Sequence, residues 1–284
     1  MTGYVRIDGS STVFPITEAV AEEFMIANPG IGVSIGVSGT GGGFKKFLSR
    51  ETDIQNASRT IAPGEAQEAK ERGIEYLELP VAYDGLTVIV NPRNDWVDSL
   101  TVEELRAIWE PGSTIQRWSD VRPEWPDIPL RLYGPGTDSG TFDYFTEAIM
   151  GQSGASRPDY TASEDDNILI TGVQGDLGGL GYLGYAYYYE NRDKVKAVAI
   201  DGGSGPVLPT AENINSGRYS PLSRPVFIYV NKESLARPEV AMFVEYYLTT
   251  GAEFIPDVGY VPMPPSEYEK ALHKVREAIE ELTE

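Results

Sequence analysis

The sequence predicts an α/β fold organised on a parallel sheet, and three observations carry that expectation. Stretches that read as strands, at 5–8, 31–37 and 52–57, each run directly into a polar loop: Gly9-Ser10-Ser11-Thr12-Val13-Phe14-Pro15, Ser38-Gly39-Thr40-Gly41-Gly42-Gly43, and Ser58-Arg59. The first two loops precede apolar residues at helical spacing, Ile16, Ala19, Val20 and Phe24 after one, Phe44, Phe47 and Leu48 after the other. Strand, loop and helix repeated in this way give crossover connections, hence parallel strands that receive ligands at their carboxyl ends. Finally, two strongly apolar segments, 86–90 and 225–231, each closed by an asparagine, flank a long insertion, as a pair of strands crossing between two lobes would.

Each element has its own local reason. Pro15 suits a first helical turn, where its missing N–H costs little, and Asn28-Pro29-Gly30 ends that helix. Residues 64–72 read as a polar helix and 76–81 as a strand, with Asp84-Gly85 just ahead of the next strand. Thr101 and Glu104 form a capping box for a helix over 102–109. A loop-rich segment, 111–129, feeds an apolar strand that reaches Tyr133. The turn Gly134-Pro135-Gly136 then opens a helix at Ser139-Gly140-Thr141, with Phe142, Phe145, Ala148 and Ile149 at helical spacing. The glycine run over 174–182 reads as a turn packed on the sheet. It lacks the Gly-Lys-Ser/Thr and the GxGxxG frame of nucleotide loops. Residues 185–189 read as a tyrosine-rich helix and 195–200 as a strand. A helix follows Pro238, and Ser266-x-x-Glu269 caps a last helix with Leu272, Val275, Ile279 and Leu282 on one face.

Composition narrows the chemistry. The 284 residues allow one large or two modest domains. There is no cysteine, and the single histidine, His273, lies in a charged helical stretch, so thiolate sites, multi-histidine metal sites and a Ser-His-Asp triad have no material. No cofactor is expected. A formal net charge of −20 argues against nucleic acid as a partner. It does not exclude an anion, because surface charge is screened over about 10 Å while pocket dipoles act locally. Three hydroxyl- and glycine-rich helix starts could converge on one small oxyanion, whose charge the unpaired first N–H groups of a helix favour. The same residues are also ordinary helix caps.

Taken together, Gly9 to Pro15, Ser38 to Lys45, Asp53-Ile54-Gln55-Asn56-Ala57-Ser58-Arg59 and Asp138-Ser139-Gly140-Thr141-Phe142 occur in the order and spacing of a known family. The chain resembles, over essentially its whole length, the phosphate-binding receptors of bacterial high-affinity phosphate ABC transporters. The resemblance implies a type II periplasmic-binding-protein fold, two α/β lobes joined by two crossing strands with the ligand cleft between them. The lobes are expected at 1–86 with 227–284, and at 87–226. It implies inorganic phosphate as ligand, a membrane-embedded ABC permease as partner, a monomer, and a periplasmic or externally anchored location. No catalysis is expected.

Carried over by motif, Ser11, Thr12 and Val13 match the first phosphate loop, Thr40 the second, and Ser139, Gly140 and Thr141 the third. The best-known receptors also place an Asp after the third strand and an Arg shortly before Ser-Gly-Thr. Here those positions hold Ser58-Arg59 and Gly134-Pro135-Gly136. Arg59 is therefore expected to supply the positive charge as a forked donor. Asp84, or else Asp138, is expected to accept the proton that phosphate carries and sulfate lacks. Other tetrahedral oxyanions (sulfate, arsenate, molybdate) are the alternative ligands. A phosphate-ester hydrolase using Ser139 or Thr141 is the alternative activity, one that lacks a histidine base.

Overall fold

The computed structural model describes residues 2–283. The chain divides into two compact units, Met1–Tyr83 with Pro225–Glu284, and Asp84–Arg224. The first unit opens with β1 (Gly3–Gly9), α1 (Phe14–Ala27), β2 (Ile31–Ile35), α2 (Gly39–Leu48), β3 (Ile54–Ala57) and α3 (Pro63–Glu71). The 15-residue β4 (Tyr76–Val90) then carries the chain into the second unit. There follow β5 (Ser99–Thr101), α4 (Val102–Trp109), α5 (Trp118–Val121), β6 (Arg131–Gly134), α6 (Gly140–Met150), β7 (Thr161–Ala162), α7 (Asp166–Gly175), β8 (Gly179–Gly184), α8 (Tyr185–Glu190), β9 (Lys196–Ala197), β10 (Ala199–Asp201), β11 (Pro206–Val207) and α9 (Ala211–Asn215). Strand β12 (Ser223–Asn231) returns the chain to the first unit, which closes with α10 (Pro238–Tyr247), β13 (Val261–Pro262) and α11 (Pro265–Thr283).

In the first unit the strand order is β2-β1-β3-β12-β4, with β13 on β4. Strand β1 pairs in parallel with β2 and β3, but β12 runs antiparallel to β3, with Phe227 opposite Ala57. The sheet is therefore mixed, and parallel only where helices cross between β1, β2 and β3. Side chains alternate across β12 as a strand buried on both faces requires. Val226, Ile228 and Val230 join the core of α1, α10 and α11, while Phe227 and Tyr229 join Phe44, Phe47 and Leu48 of α2. Each such fully buried apolar side chain contributes about 1.5–3 kcal/mol. Within the second unit β4 pairs antiparallel with β8, and β8 in parallel with β6, which pairs with β7. An aromatic cluster of Trp109, Phe145, Tyr160 and Tyr182 packs there, Phe145 and Tyr182 stacked at 3.7 Å.

Several sequence expectations need correction. Residues 76–81 and 86–90 are one strand, with Asp84-Gly85 inside it. The loop at 39–43 is the first turn of α2. The glycine run is a turn only at 176–178: residues 166–175 are helical, and 179–184 form β8, buried at every position. A side chain at Gly181 would stand 2.7 Å from Tyr133 O, so the glycine admits the neighbouring strand. Residues 195–200 are divided between β9 and β10. Ser266 lies inside α11, whose buried face is Tyr268, Ala271, Val275 and Ala278, and Leu282 is exposed. The Thr101–Glu104 capping box forms as expected, with both hydrogen bonds present. No helix among the described residues is long and apolar enough to cross a membrane.

Candidate functional site

In the first unit, three sequence-predicted groups are built around the carboxyl ends of β1 and β3. At Gly9 the backbone turns with φ of 138°, and an added Cβ would stand 2.2 Å from Asn56 O, so only glycine fits. Ser10 follows, and its Oγ accepts hydrogen bonds from the N–H groups of Thr12 (3.1 Å) and Val13 (3.4 Å). Thr12 and Val13 are buried and Ser11 is half-buried. The donors assigned to phosphate by resemblance are thus already engaged by a neighbouring hydroxyl.

The second group is pinned by Asp8 at the end of β1. Its carboxylate accepts from Ser38 N (3.1 Å), from Ser38 Oγ and from Lys46 Nζ (2.6 Å), which fixes the start of α2. Burial works against ionisation of Asp8, but Lys46 and Ser38 outweigh it and hold the carboxyl below its ordinary range. On that helix start, Thr40 Oγ1 lies 3.1 Å from Ser58 Oγ and accepts from Ser58 N at 3.2 Å. The structure thus brings together Thr40 from α2 and Ser58 from the end of β3.

Arg59 stands beside them, its guanidinium 5.5 Å from the Phe44 ring centre. Glu65 grips its fork with two hydrogen bonds of 2.9 Å, and the same carboxylate caps α3 through Ala62 N. Arg59 is therefore oriented before any anion arrives. Burial would raise Glu65, but the Arg59 and Ala62 donors bring it below its ordinary range.

In the second unit, β6 leads through Gly134-Pro135-Gly136 to α6. Ser139 is its N-cap, accepting from Thr141 N at 3.1 Å, and Ser139, Gly140 and Thr141 are all half-buried. The two acceptor candidates differ. Asp138 is exposed, whereas Asp84 has 4% of its surface exposed, and its Oδ2 makes no hydrogen bond among the described residues. The charge nearest to Asp84 is Arg224, whose Nε stands 3.7 Å from that oxygen. Burial pushes Asp84 up to about 6 against the pull of Arg224.

Sequence reasoning missed Arg224. It lies over the Tyr144 ring at 3.7 Å, with Nη1 3.7 Å from Glu147, and Tyr144 is itself fixed by donating to Pro221 O at 2.7 Å. The only local signal was an arginine at the head of an apolar crossing strand.

A buried acceptor beside a guanidinium, together with hydroxyl-bearing helix starts, is chemistry suited to an anion that carries a proton. Comparison with known proteins points the same way. A family model described as a PBP superfamily domain matches residues 1–250. The chain is 51% identical over 267 residues to Protein SphX of Synechocystis sp., covering 93% of this chain and 80% of that one. It is 39% identical over 279 residues to Phosphate-binding protein PstS of Staphylococcus saprophyticus, covering 98% and 86%. The crystal structure of a protein described as a possible phosphate binding protein from Planctomyces limnophilus matches with a TM-score of 0.93 and 48% identity, over 98% of this chain and 99% of that one.

Proposed function

The chain belongs to the PBP superfamily and, within it, to the family of SphX and PstS, and from that premise we propose that it is a receptor for inorganic phosphate that delivers its ligand to an ABC permease. It acts outside the cytoplasmic membrane, as a monomer, and performs no chemistry on what it carries. The observation that carries the ligand reading is the buried Asp84 carboxylate, with one oxygen lacking a hydrogen-bond donor. Such an atom is costly unless something supplies a proton, and hydrogen phosphate does so where sulfate offers only acceptors.

The remaining groups divide the work. Arg59 supplies charge without regard to protonation. Thr40, Ser58, Ser139 and Thr141 supply hydroxyls, and the N–H groups of Ser11 and Gly140 supply donors, joined by those of Thr12, Val13 and Thr141 once the Ser10 and Ser139 hydroxyls release them. Phosphate titrated calorimetrically into protein that has been unfolded and refolded to strip carried-over ligand tests this directly. Micromolar or tighter binding, about −8 kcal/mol or better, that persists in excess sulfate is expected. Equal competition by sulfate would remove the selectivity assigned to Asp84, and binding of neither anion would sink the receptor reading. Arsenate shares the shape and protonation of phosphate and is expected to compete. An ester-cleavage assay separates the receptor from a hydrolase.

A further inference from the structure

Asp84 is the first residue of the second unit and Arg224 the last, so their ion pair joins the strand that brings the chain in, β4, to the one that takes it out, β12. The pair is built rather than incidental. Arg224 is 18% exposed, its guanidinium is stacked on Tyr144, and Tyr144 sits on α6, the helix that Ser139 caps. Just before Arg224, the Leu222 carbonyl accepts from Leu86 N at 2.9 Å, which holds the two strands together within the unit.

We infer that Arg224 sets the selectivity of the receptor without serving as its main anion contact, by keeping the Asp84 carboxylate ionised and therefore able only to accept. The inference rests on the reading that Asp84 faces the ligand. A carboxylate this buried goes neutral unless an opposite charge is beside it. Ionised, it accepts a hydrogen bond from the P–OH of hydrogen phosphate and repels sulfate. Neutral, it becomes a donor and welcomes sulfate. The selectivity of the site is then the protonation state of one carboxyl.

The surroundings leave Arg224 as the deciding charge. Tyr144 and, beyond it, Tyr219 are phenols that burial pushes above their ordinary value, so both are neutral. Glu147 stands 3.7 Å from Arg224 Nη1 and is 62% exposed, so solvent screens it. Burial and Arg224 together leave Asp84 near 6, ionised at neutral pH with little margin.

Sulfate is the probe, because it does not titrate between pH 5 and 9 and its affinity therefore reports the state of Asp84. Sulfate and phosphate are titrated into the full chain across that range for the wild type, Arg224→Met, Arg224→Lys and Asp84→Asn. The wild type should gain sulfate affinity only as pH falls through about 6. In Arg224→Met that gain should move upward by about one pH unit or more, so that sulfate competes at pH 7. Arg224→Lys, which retains the charge, should bring it back toward the wild-type position. Loss of both anions in Arg224→Met with the sulfate midpoint unmoved would make Arg224 a direct ligand and overturn the inference. If Asp84→Asn alters selectivity while Arg224→Met does not, the inference also fails, but the receptor reading stands. If Asp84→Asn changes neither anion, Asp84 does not face the ligand and the inference falls, while the receptor reading, which falls only if neither anion binds the wild type, stands.

Discussion

Asp84 Oδ2 and Arg224 Nε stand 3.7 Å apart, and this ion pair, longer than a hydrogen bond, leaves a buried carboxylate oxygen without a donor. A group held in that way is a liability for stability and, on the proposed reading, an asset for binding, and the two can be separated by experiment.

Asp84→Asn should reveal both sides. The folded group titrates at about 6 against an ordinary 3.8, a difference equivalent to about 3 kcal/mol. Between those values the folded state binds the additional proton, so its contribution is fully present at low pH and is lost as pH rises through 6. The melting temperature of Asp84→Asn without ligand should therefore improve, relative to wild type, from about pH 4.5 to about pH 8. Phosphate affinity should fall about ten- to a hundredfold, with sulfate spared. A constant difference in melting temperature across that range would contradict the raised value.

Arg59 should behave oppositely in selectivity. Arg59→Met should weaken phosphate and sulfate alike, by about tenfold or more. Glu65→Gln should weaken both less, by freeing the fork, with a stability loss within the about 0.2–1 kcal/mol of a pair whose arginine is 43% exposed. Calorimetry at fixed pH distinguishes the two patterns, and undiminished binding by Arg59→Met would remove Arg59 from the site.

Ser139 caps α6, and two variants separate that role from the proposed binding role. Ser139→Ala should cost about 1 kcal/mol of stability through the lost cap and weaken phosphate as well. Ser139→Asp should keep the cap and the melting temperature while repelling the anion. Normal phosphate binding by Ser139→Asp would leave Ser139 as a cap alone.

Gly43→Ala tests the packing under the second loop. The new Cβ would stand 2.0 Å from Gln55 Oε1 and 2.5 Å from Gly9 Cα. A loss of about 1–3 kcal/mol in denaturant unfolding is expected. Because Gln55 donates to Thr40 O at 2.7 Å, phosphate affinity should fall with it.

What the sequence disclosed follows the range of the forces involved. Helix starts depend on a few adjacent residues, so Ser38-Gly39-Thr40, Ser139-Gly140-Thr141 and the Thr101–Glu104 box can be read directly, and the repeated strand-loop-helix pattern announces the α/β class. Asp84-Gly85 looks locally like a turn, yet β4 runs through it. Gly85 is small because Ile214 packs there, where an added Cβ would meet Ile214 Cδ1 at 2.7 Å. The run at 179–184 misleads for a similar reason, since Gly181 answers to the neighbouring strand β6 and Gly179 to the end of α7. Arg224 is invisible because its partners, Asp84 and Tyr144, lie far away along the chain. Arg59 is legible as a charge, but nothing local marks Glu65 as its carboxylate clamp.

The Ser10 hydroxyl gives the first loop a property of its own. By accepting from the N–H groups of Thr12 and Val13, it acts as an internal competitor for the donors that an anion at that loop would use. Phosphate entry at that loop would be an exchange of acceptors rather than an addition, and its affinity would be the intrinsic one reduced by the fraction of time the donors are released. Ser10→Ala should accordingly tighten phosphate binding while loosening the empty loop, seen as faster amide exchange at Thr12 and Val13. The loop is thus kept in shape by a stand-in that an anion would have to dislodge, and the same hydroxyl would reclaim those donors once the anion left.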